Sequence, residues 1–403
     1  MKAYITFWIR MFGCALKGGT EYYIWNSILS IIALVGVIAY ARQAEYGLIV
    51  ANLSDQVSWG VYIANFTFLV GVAASAVLLV FPTYILHNKD TKQVVLIGEL
   101  LAFSAVVMCL LFIIADLGRP DRVIHMLPFF GRLNFPVSVL AWDVVVLNGY
   151  LFLNLHVPGY LLYKKYKNEE PNKWLYVPFV LISVFWAVSI HTVTAFLYSG
   201  LGGRPFWNTA VLAPRFLVSA FAGGPAILMI VFALINAFTN FPVRDQIFDL
   251  LKKILMIFLP INLFLFGSEI FKEFYTDNAH TISMQYLFFG IHGHGMLRRY
   301  IWSSLILSII SLVIIFTPKL RSNQQVLLAG CFMTIVAIWI EKGMGLIIPG
   351  FIPTPLGDLV EYTPSLVEFF VSLGIWAFGA LLFTILAKVA IAIQTGELRQ
   401  IKH

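Results

Sequence analysis

A few ionisable side chains lie inside long apolar stretches of this sequence, and they are its candidates for chemistry. An ionisable group in a lipid bilayer costs several kcal/mol, so such a group usually marks a proton path, an ion path or a ligand site. Carboxyl and imidazole groups can exchange protons, so this set predicts proton-transfer chemistry inside a membrane. Four separate stretches carry its members: Asp143, His191, Glu269, and the adjacent pair Glu341 and Lys342.

The apolar stretches themselves predict the elements that hold these residues. Of 403 residues, 60% are hydrophobic and 12% are charged, whereas a typical soluble domain has about 25% charged residues. A bilayer of about 30 Å requires roughly 20 apolar residues per helix. The composition excludes a soluble enzyme, a nucleic-acid-binding protein and a disordered scaffold, and it predicts an all-α integral membrane protein. Ten spans are expected, numbered 1 to 10: 24–42, 59–87, 92–116, 136–163, 174–198, 213–238, 250–273, 299–317, 325–349 and 366–392.

We expect spans 2–5 and 6–9 to form two four-helix bundles, with spans 1 and 10 as flanking helices. Spans 2 and 6 both carry small residues in mid-helix, a weak internal repeat that suits close helix packing in two related halves. The predicted organisation has an amphipathic cytoplasmic N-terminal segment, span 1 with an outer loop, a first bundle, a second bundle, and an outer loop with span 10 and a cytoplasmic tail. The corresponding ranges are 1–23, 24–58, 59–198, 199–349 and 350–403.

The distribution of positive charge predicts the orientation. Most of the 27 Lys and Arg residues fall at the N-terminus, in the even-numbered loops and at the C-terminus. Because positive residues accumulate on the cytoplasmic side, both termini are predicted to be cytoplasmic in the cell membrane, with the basic loops near anionic lipid. The outer loops are longer and richer in Gly, Pro and aromatic residues, which is typical either of a docking face for a partner protein or of simple caps.

The depth of the ionisable residues favours a quinone as the ligand. At a rise of 1.5 Å per residue, Asp143, His191, Glu269, Glu341 and Lys342 fall in the outer third of the membrane. Quinone reduction or oxidation moves protons together with electrons and needs hydrogen-bond partners at both carbonyl oxygens. Two alternatives stay open. Some of these charges could pair structurally, and buried charges also occur in secondary transporters and ion-translocating proteins.

A smaller polar group is assigned to the inner half of the membrane and could begin a proton route. It comprises Glu99 in span 3, Asn65 in span 2, and Asn148 and His156 in span 4. The alternative for each Asn is a hydrogen bond between helices.

We expect no metal, iron–sulfur or haem site within the chain. Cys14, Cys109 and Cys331 are isolated in the sequence, which argues against a cluster or a structural zinc site. His191 has no histidine partner at matched depth in another span, which argues against a b-type haem. Electrons are therefore expected to come from, or pass to, a partner subunit.

Four motifs together resemble the NrfD/polysulfide-reductase membrane-subunit family. They are WGVYIANFTFLVG at 59–71, ADLGRPDRVIHM at 115–126, LNFPVSVLAWDV at 133–144 and WIEKGMGLIIPGFIPTPLGDLVEYTP at 339–364. The resemblance runs from about residue 20 to 392. It implies two four-helix bundles, menaquinone as an exchangeable substrate near the outer face, and a periplasmic, ferredoxin-like iron–sulfur partner subunit.

Within this family, the sequence is most similar to the membrane subunits of sulfite-reductase-linked complexes. That resemblance implies a multihaem cytochrome c and further membrane subunits as partners, and a role in dissimilatory sulfur metabolism. The membrane subunits of high-molecular-weight cytochrome complexes are the alternative.

The resemblance also implies roles for particular residues. His125 and Asp143 match the histidine and aspartate of a quinol site in relatives of the alternative complex III type, so they are expected to be the catalytic, proton-exchanging pair. Asp143 could instead pair with Arg119 or Arg132 to fix the outer loop. The remaining members expected at the quinone site are His191, Glu269, Glu341, Lys342 and Arg119.

Overall fold

The computed structural model describes residues 2–127, 129–276 and 281–400. Within these residues, ten helices are long and apolar enough to cross a membrane, which confirms the predicted class of a multi-pass, all-α membrane protein. They are α1 Thr20–Tyr46, α2 Val61–Ile85, α3 Val95–Asp116, α4 Val139–Tyr166, α5 Val177–Ser199, α6 Leu212–Phe238, α7 Asp245–Thr276, α8 Arg298–Phe316, α9 Gln324–Lys342 and α10 Leu366–Thr395.

Most of these helices begin and end within a few residues of the predicted spans. The largest difference is in α9, which ends at Lys342 because the backbone of Gly343 leaves the helical conformation. Two short helical turns, Met344–Ile347 and Ile348–Phe351, complete the rest of the predicted span. The helix α2 is also irregular, since it consists of two α-helical stretches, Val61–Ala74 and Val77–Val80, and a short π-helical segment, Phe81–Ile85.

Successive membrane-spanning helices run in opposite directions, so the fold has two distinct sides. We call the side that carries both chain termini the terminus side. We call the opposite side, with the described connecting residues 47–60, 117–127, 129–138, 200–211, 281–297 and 343–365, the far side. The far side corresponds to the predicted outer face.

The helices α2–α5 form one closed four-helix ring, and α6–α9 form a second. Between the rings, α2 and α5 pack against α6, and α2 also packs against α9. The flanking helix α10 lies on the first ring, chiefly against α3, and α1 packs mainly on α10. Only 11% of the residues in the most hydrophobic part of α1 are therefore buried.

The predicted N-terminal segment contains the helix Lys2–Leu16, on the terminus side. Phe7 is buried against Tyr163 and Tyr166 of α4, with ring centroids 5.0 Å apart in both pairs. Ile9 and Phe12 stay exposed. One packed face and one exposed apolar face are typical of a helix that lies on a membrane surface. The location of the helix Lys2–Leu16 on the cytoplasmic leaflet stays a prediction.

The pair Gly36 and Gly374 allows α1 and α10 to approach closely, since a Cβ on Gly36 would lie 2.5 Å from the Cα of Gly374. We expect Gly36→Leu to separate these helices and to destabilise their packing by about 1–3 kcal/mol. Gly159→Leu is the control, because a Cβ there meets open space. The measurement is cross-linking between Trp25→Cys and Thr384→Cys by a short bismaleimide, since the indole nitrogen and the hydroxyl of the native side chains are 3.2 Å apart. An undiminished yield in the Gly36→Leu background would contradict the prediction.

Candidate functional site

Asp143 lies in the second turn of α4, near the far side, with its side chain inside the first bundle. It is 4% exposed, and the hydroxyl of Thr194 on α5 donates a hydrogen bond to its Oδ1 (3.1 Å). Arg119 instead forms an exposed bidentate pair with Asp121 at 2.9 and 3.0 Å. Among the described residues, Asp143 makes no ion pair with Arg119 or Arg132. No contact therefore supports the alternative in which Asp143 fixes the outer loop through one of these arginines.

His125 and Asp143 differ in their surroundings. His125 lies on the exposed turn Pro120–Met126, which follows α3, whereas Asp143 is buried. No hydrogen bond or ion pair joins the two side chains in the part of the chain that the structure describes. Their joint role in proton exchange stays a prediction.

A cluster of charged side chains fills the far-side half of the second bundle. Arg215 on α6 forms ion pairs with Glu269 on α7 and with Glu341 on α9, the latter at 3.0 Å. The second oxygen of Glu341 accepts a hydrogen bond from Asn262 (2.9 Å), and Lys342 lies 3.4 Å from its first oxygen. All five side chains are buried. Two cations and two carboxylates balance, which is the condition under which buried charges are tolerated.

His191 is only 1% exposed and faces this cluster across the interface between the bundles. His191 and Lys342 line one cavity together with Thr67, Gly71, Phe216 and Ser219. We call it the interbundle cavity. The volume in which the centre of a water molecule fits is about 20 Å³. A cavity needs about 10–15 Å³ by this measure to hold one water molecule. The cavity thus accommodates a water molecule but not a quinone ring.

A second, larger pocket lies between the end of α1 and the turn that follows α3. Its volume is about 280 Å³, and its lining includes Tyr40, Gln43, Leu117 and Arg119. We call it the α1 pocket. Two hydrogen bonds fix the side chain of Gln43. Its amide group donates to the carbonyl oxygen of Ala115 (2.6 Å), and its Oε1 accepts from the hydroxyl of Tyr62 (2.6 Å).

A buried carboxylate secures the far side next to this region. Glu368 lies in the first turn of α10, where it forms a capping box with Ser365. Its carboxylate also accepts a hydrogen bond from the backbone N–H of Asn52 (3.0 Å). The hydroxyl of Tyr362 also donates to Glu368. Burial, and then the charge of Glu368, raise the pKa of the Tyr362 phenol, which therefore keeps its proton for this bond.

Of the four residues assigned to the inner half, only Glu99 is buried inside a bundle on the terminus side. Asn65 is a correction, because α2 runs from the far side and Asn65 lies in its second turn, where its Oδ1 accepts from the indoles of Trp339 (2.9 Å) and Trp376 (3.0 Å). Asn148 is exposed on the outer surface of α4, and its amide donates to its own helix.

His156, the fourth, lies toward the terminus side at the edge of the first bundle. Its Nε2 is 3.0 Å from the carbonyl oxygen of Leu175, and its ring packs on Phe179 with centroids 4.5 Å apart. These contacts fit an interfacial position, whereas Glu99 lies inside, and its Oε2 has no hydrogen-bond partner among the described residues.

Two central members of the charged cluster were missed by the sequence interpretation. Arg215 falls within predicted span 6 but was counted only among the cations of the outer side, although it stands inside the apolar run LAPRFLVSAF. Asn262 lies in the middle of α7, surrounded by apolar residues. An isolated polar residue within an apolar run was the signal in both cases.

Buried hydroxyls also line the contact between α8 and α9 in the second bundle. On α8, Ser304 donates to the carbonyl oxygen of Ala337 (2.8 Å), and Ser311 lies 2.5 Å from the hydroxyl of Thr334 on α9. Ser308 lies between them and is also buried. Because α8 runs from the far side to the terminus side, this row of hydroxyls leads away from Lys342 toward the terminus side.

The fold and this polar interior define a multi-pass membrane protein with buried ion pairs in one of two helix bundles. The family model of the polysulphide reductase NrfD family matches residues 49–353. The chain therefore belongs to the NrfD family, as its motifs indicated.

Relatives align over nearly their whole length. A selenate reductase subunit of Mesobacillus selenatarsenatis is 23% identical, over 91% of this chain and 93% of the relative. The Hdr-like menaquinol oxidoreductase integral membrane subunit of Archaeoglobus fulgidus is 23% identical, over 92% and 93%. The menaquinone reductase integral membrane subunit of Nitratidesulfovibrio vulgaris is 21% identical, over 93% and 92%. By these names, the relatives are subunits of reductases or oxidoreductases, and two are membrane subunits named for menaquinol or menaquinone.

Proposed function

We propose that this chain is the quinone-interacting membrane subunit of a respiratory electron-transfer complex, with menaquinone as its exchangeable substrate. The observation that carries the proposal is the buried, ionisable interior near the far side, which places Asp143 in one bundle and the Arg215 cluster in the other. Quinone chemistry requires proton donors and acceptors, and these groups can serve as such. Two relatives named for menaquinol and menaquinone support the choice of substrate.

We assign the quinone ring to the α1 pocket. Its volume of about 280 Å³ is close to the lower end of the range of about 300–1,000 Å³ for ligand pockets. Tyr40 and Leu117 supply apolar walls, while Gln43 and Arg119 have N–H groups left to donate to the carbonyl oxygens. Because α1 is largely exposed, a quinone dissolved in the bilayer can reach this pocket from the side.

Polar side chains lead from the α1 pocket toward Asp143. Tyr62 is hydrogen-bonded to Gln43, and the hydroxyl of Tyr198 lies 2.5 Å from that of Thr67 on the same helix as Tyr62. Tyr198 lies one turn after Thr194 on α5, and Thr194 is hydrogen-bonded to Asp143. When it is bound, menaquinone would accept both the electrons and the protons. The protein's part is to orient the ring and to hold or release protons at Asp143, with His125 as the exposed group nearer the surface.

The far side also presents a surface that suits a partner subunit. Phe129, Phe130 and Val137 are exposed, and Arg122 and Arg132 lie beside them in the sequence and are also exposed. Exposed apolar groups with a charged rim are typical of a docking surface. We assign it to a periplasmic, ferredoxin-like iron–sulfur subunit, which is the partner that the family resemblance implies.

A multihaem cytochrome c and further membrane subunits would complete the complex, in dissimilatory sulfur metabolism. The alternatives are a high-molecular-weight cytochrome complex and a secondary transporter or ion-translocating protein. Purification from native membranes distinguishes the transporter alternative from the two kinds of electron-transfer complex. We expect iron–sulfur and haem subunits to co-purify with this chain, and the preparation to show quinone-dependent electron transfer. A solitary protein that catalyses substrate flux in vesicles would contradict the proposal.

The orientation is tested by cysteine labelling in intact cells. Lys165 lies on the terminus side and Thr276 on the far side, and both are exposed. Since positive residues accumulate on the cytoplasmic side, we expect Thr276→Cys to react from outside and Lys165→Cys to react only after permeabilisation. Cys14→Ser provides the background, because Cys109 and Cys331 are buried. Labelling of Lys165→Cys from outside would overturn the orientation.

A further inference from the structure

One side-chain amide is exposed on the outer surface of the protein in the middle of the membrane. Asn148 lies in the third turn of α4. Its position is about 14 Å from the far-side end of that helix, close to the centre of a bilayer of about 30 Å. In the part of the chain that the structure describes, no other Asn or Gln is exposed away from the ends of a membrane-spanning helix.

The amide of Asn148 has hydrogen-bonding groups that its own helix does not use. One N–H donates to the carbonyl oxygen of Val144 (2.8 Å). A side-chain amide has a second N–H and a carbonyl oxygen, and neither has a partner among the described residues. Lipid tails offer no donor or acceptor, so an amide left unpaired among them is unfavourable. Hydrogen bonds of Asn between neighbouring helices remove this cost.

The surface around Asn148 suits contact with another helix. Phe152 and Leu155 follow Asn148 on the same face of α4 at helical spacing, and they are 59% and 52% exposed. The segment from Val144 to Leu155 contains no charged residue. The face therefore consists of apolar side chains around one amide, and it can approach an identical face without repulsion between charges.

We propose that this face of α4 binds the same face of a second copy of the chain, and that the two Asn148 amides form a reciprocal pair of hydrogen bonds. Copies of a membrane protein are inserted in one orientation, so a two-fold axis that relates two copies runs along the membrane normal. Such an axis keeps each residue at its own depth, and a residue close to the axis meets its counterpart. The free N–H of each Asn148 then donates to the carbonyl oxygen of the other.

The amide favours a second copy over a different protein as the occupant of this face. A helix of another protein would need both a donor and an acceptor at the depth of Asn148, whereas a second copy supplies both by symmetry. This interface lies on the outer surface of the first bundle, so the proposal does not depend on the quinone site.

The experiment uses the whole complex in native membranes, with the photo-crosslinking residue p-benzoylphenylalanine in place of Phe152. Two copies of the chain that carry different affinity tags are produced together, so that a cross-linked dimer is recognised by both tags in one product. The control has the same residue in place of Phe264, which lies at a similar depth on α7 and is 71% exposed. We expect at least about tenfold more dimer from position 152 than from position 264.

The role of the amide is tested with two variants in the same background. Asn148→Leu should fold normally, because the side chain is exposed and its hydrogen bond is to its own helix. Without the amide pair, we expect the yield of dimer from position 152 to fall about tenfold. Asn148→Gln retains a donor and an acceptor and should keep most of the yield.

Each contrary result would overturn the proposal. Equal yields from positions 152 and 264 would show random collision in the membrane. A product that joins position 152 only to a different subunit would assign this face to that subunit, and the absence of any protein product would assign it to lipid. An undiminished yield in Asn148→Leu would overturn the amide pair. None of these measurements requires quinone turnover, so failure of the proposed function would leave them unaffected.

Discussion

The assembled complex with Asp143→Asn is expected to turn over menaquinone about 100-fold more slowly than the wild type. Asn preserves the size of the side chain and can still accept the hydrogen bond from Thr194. It cannot bind or release a proton in the relevant range. Because no second carboxyl group pairs with Asp143 among the described residues, we expect no neighbouring acid to replace it. The measurement is the steady-state rate at which the purified complex reduces a menaquinone analogue.

Asp249→Asn is the matched control for this experiment. Asp249 lies on α7 at the terminus side, where it is exposed and paired with Lys252 at 2.6 Å. The same chemical change at that position should leave turnover unaltered. Turnover at the wild-type rate in Asp143→Asn, with the subunits present in normal amounts, would show that Asp143 is not a proton-exchanging group.

The second large effect is expected on stability, when the charged cluster of the second bundle is broken. Arg215 is buried between Glu269 and Glu341. Arg215→Met therefore leaves two carboxylates, and among the described residues Lys342 is the one cation paired with either of them. Removal of one partner from a buried ion pair costs about 3–5 kcal/mol. We therefore expect a marked fall in the thermal midpoint of the detergent-solubilised protein, or a loss of assembled complex.

A surface ion pair provides the comparison. Arg244 and Asp90 lie 2.7 Å apart and are both well exposed, so Arg244→Met should cost less than about 1 kcal/mol. The double variant Arg215→Met with Glu269→Gln removes one charge of each sign and should recover part of the lost stability. An Arg215→Met protein that is as stable as Arg244→Met would contradict the structural role of the cluster.

The sequence was sufficient to predict the spanning helices, because a continuous apolar run of the right length has few alternatives. Glu269, Glu341 and Lys342 were also correctly placed together near the far side, since depth along a helix follows from residue count. Their partner Arg215 was missed because this residue of predicted span 6 was used only in the count of positive charges on the outer side. The pairing depends on how α6, α7 and α9 are rotated about their axes, and counting along the chain does not contain that information.

The same reason explains the inner polar residues. A helix that is apolar on all sides has no face that indicates its orientation, so Asn148 could be predicted at its depth but not on the exposed surface where it lies. The α1 pocket was also beyond reach of the sequence. It arises where the end of α1 meets the turn after α3, and these segments are distant along the chain.

The central claim is that this chain itself binds the quinone, and photoaffinity labelling tests it most directly. The intact complex would be irradiated with an azido-menaquinone analogue, and labelled peptides would be mapped by mass spectrometry with and without excess menaquinone. We predict competable label on this chain, in the segments 40–48 and 117–121 that line the α1 pocket. Competable label confined to other subunits, with none on this chain, would contradict the account.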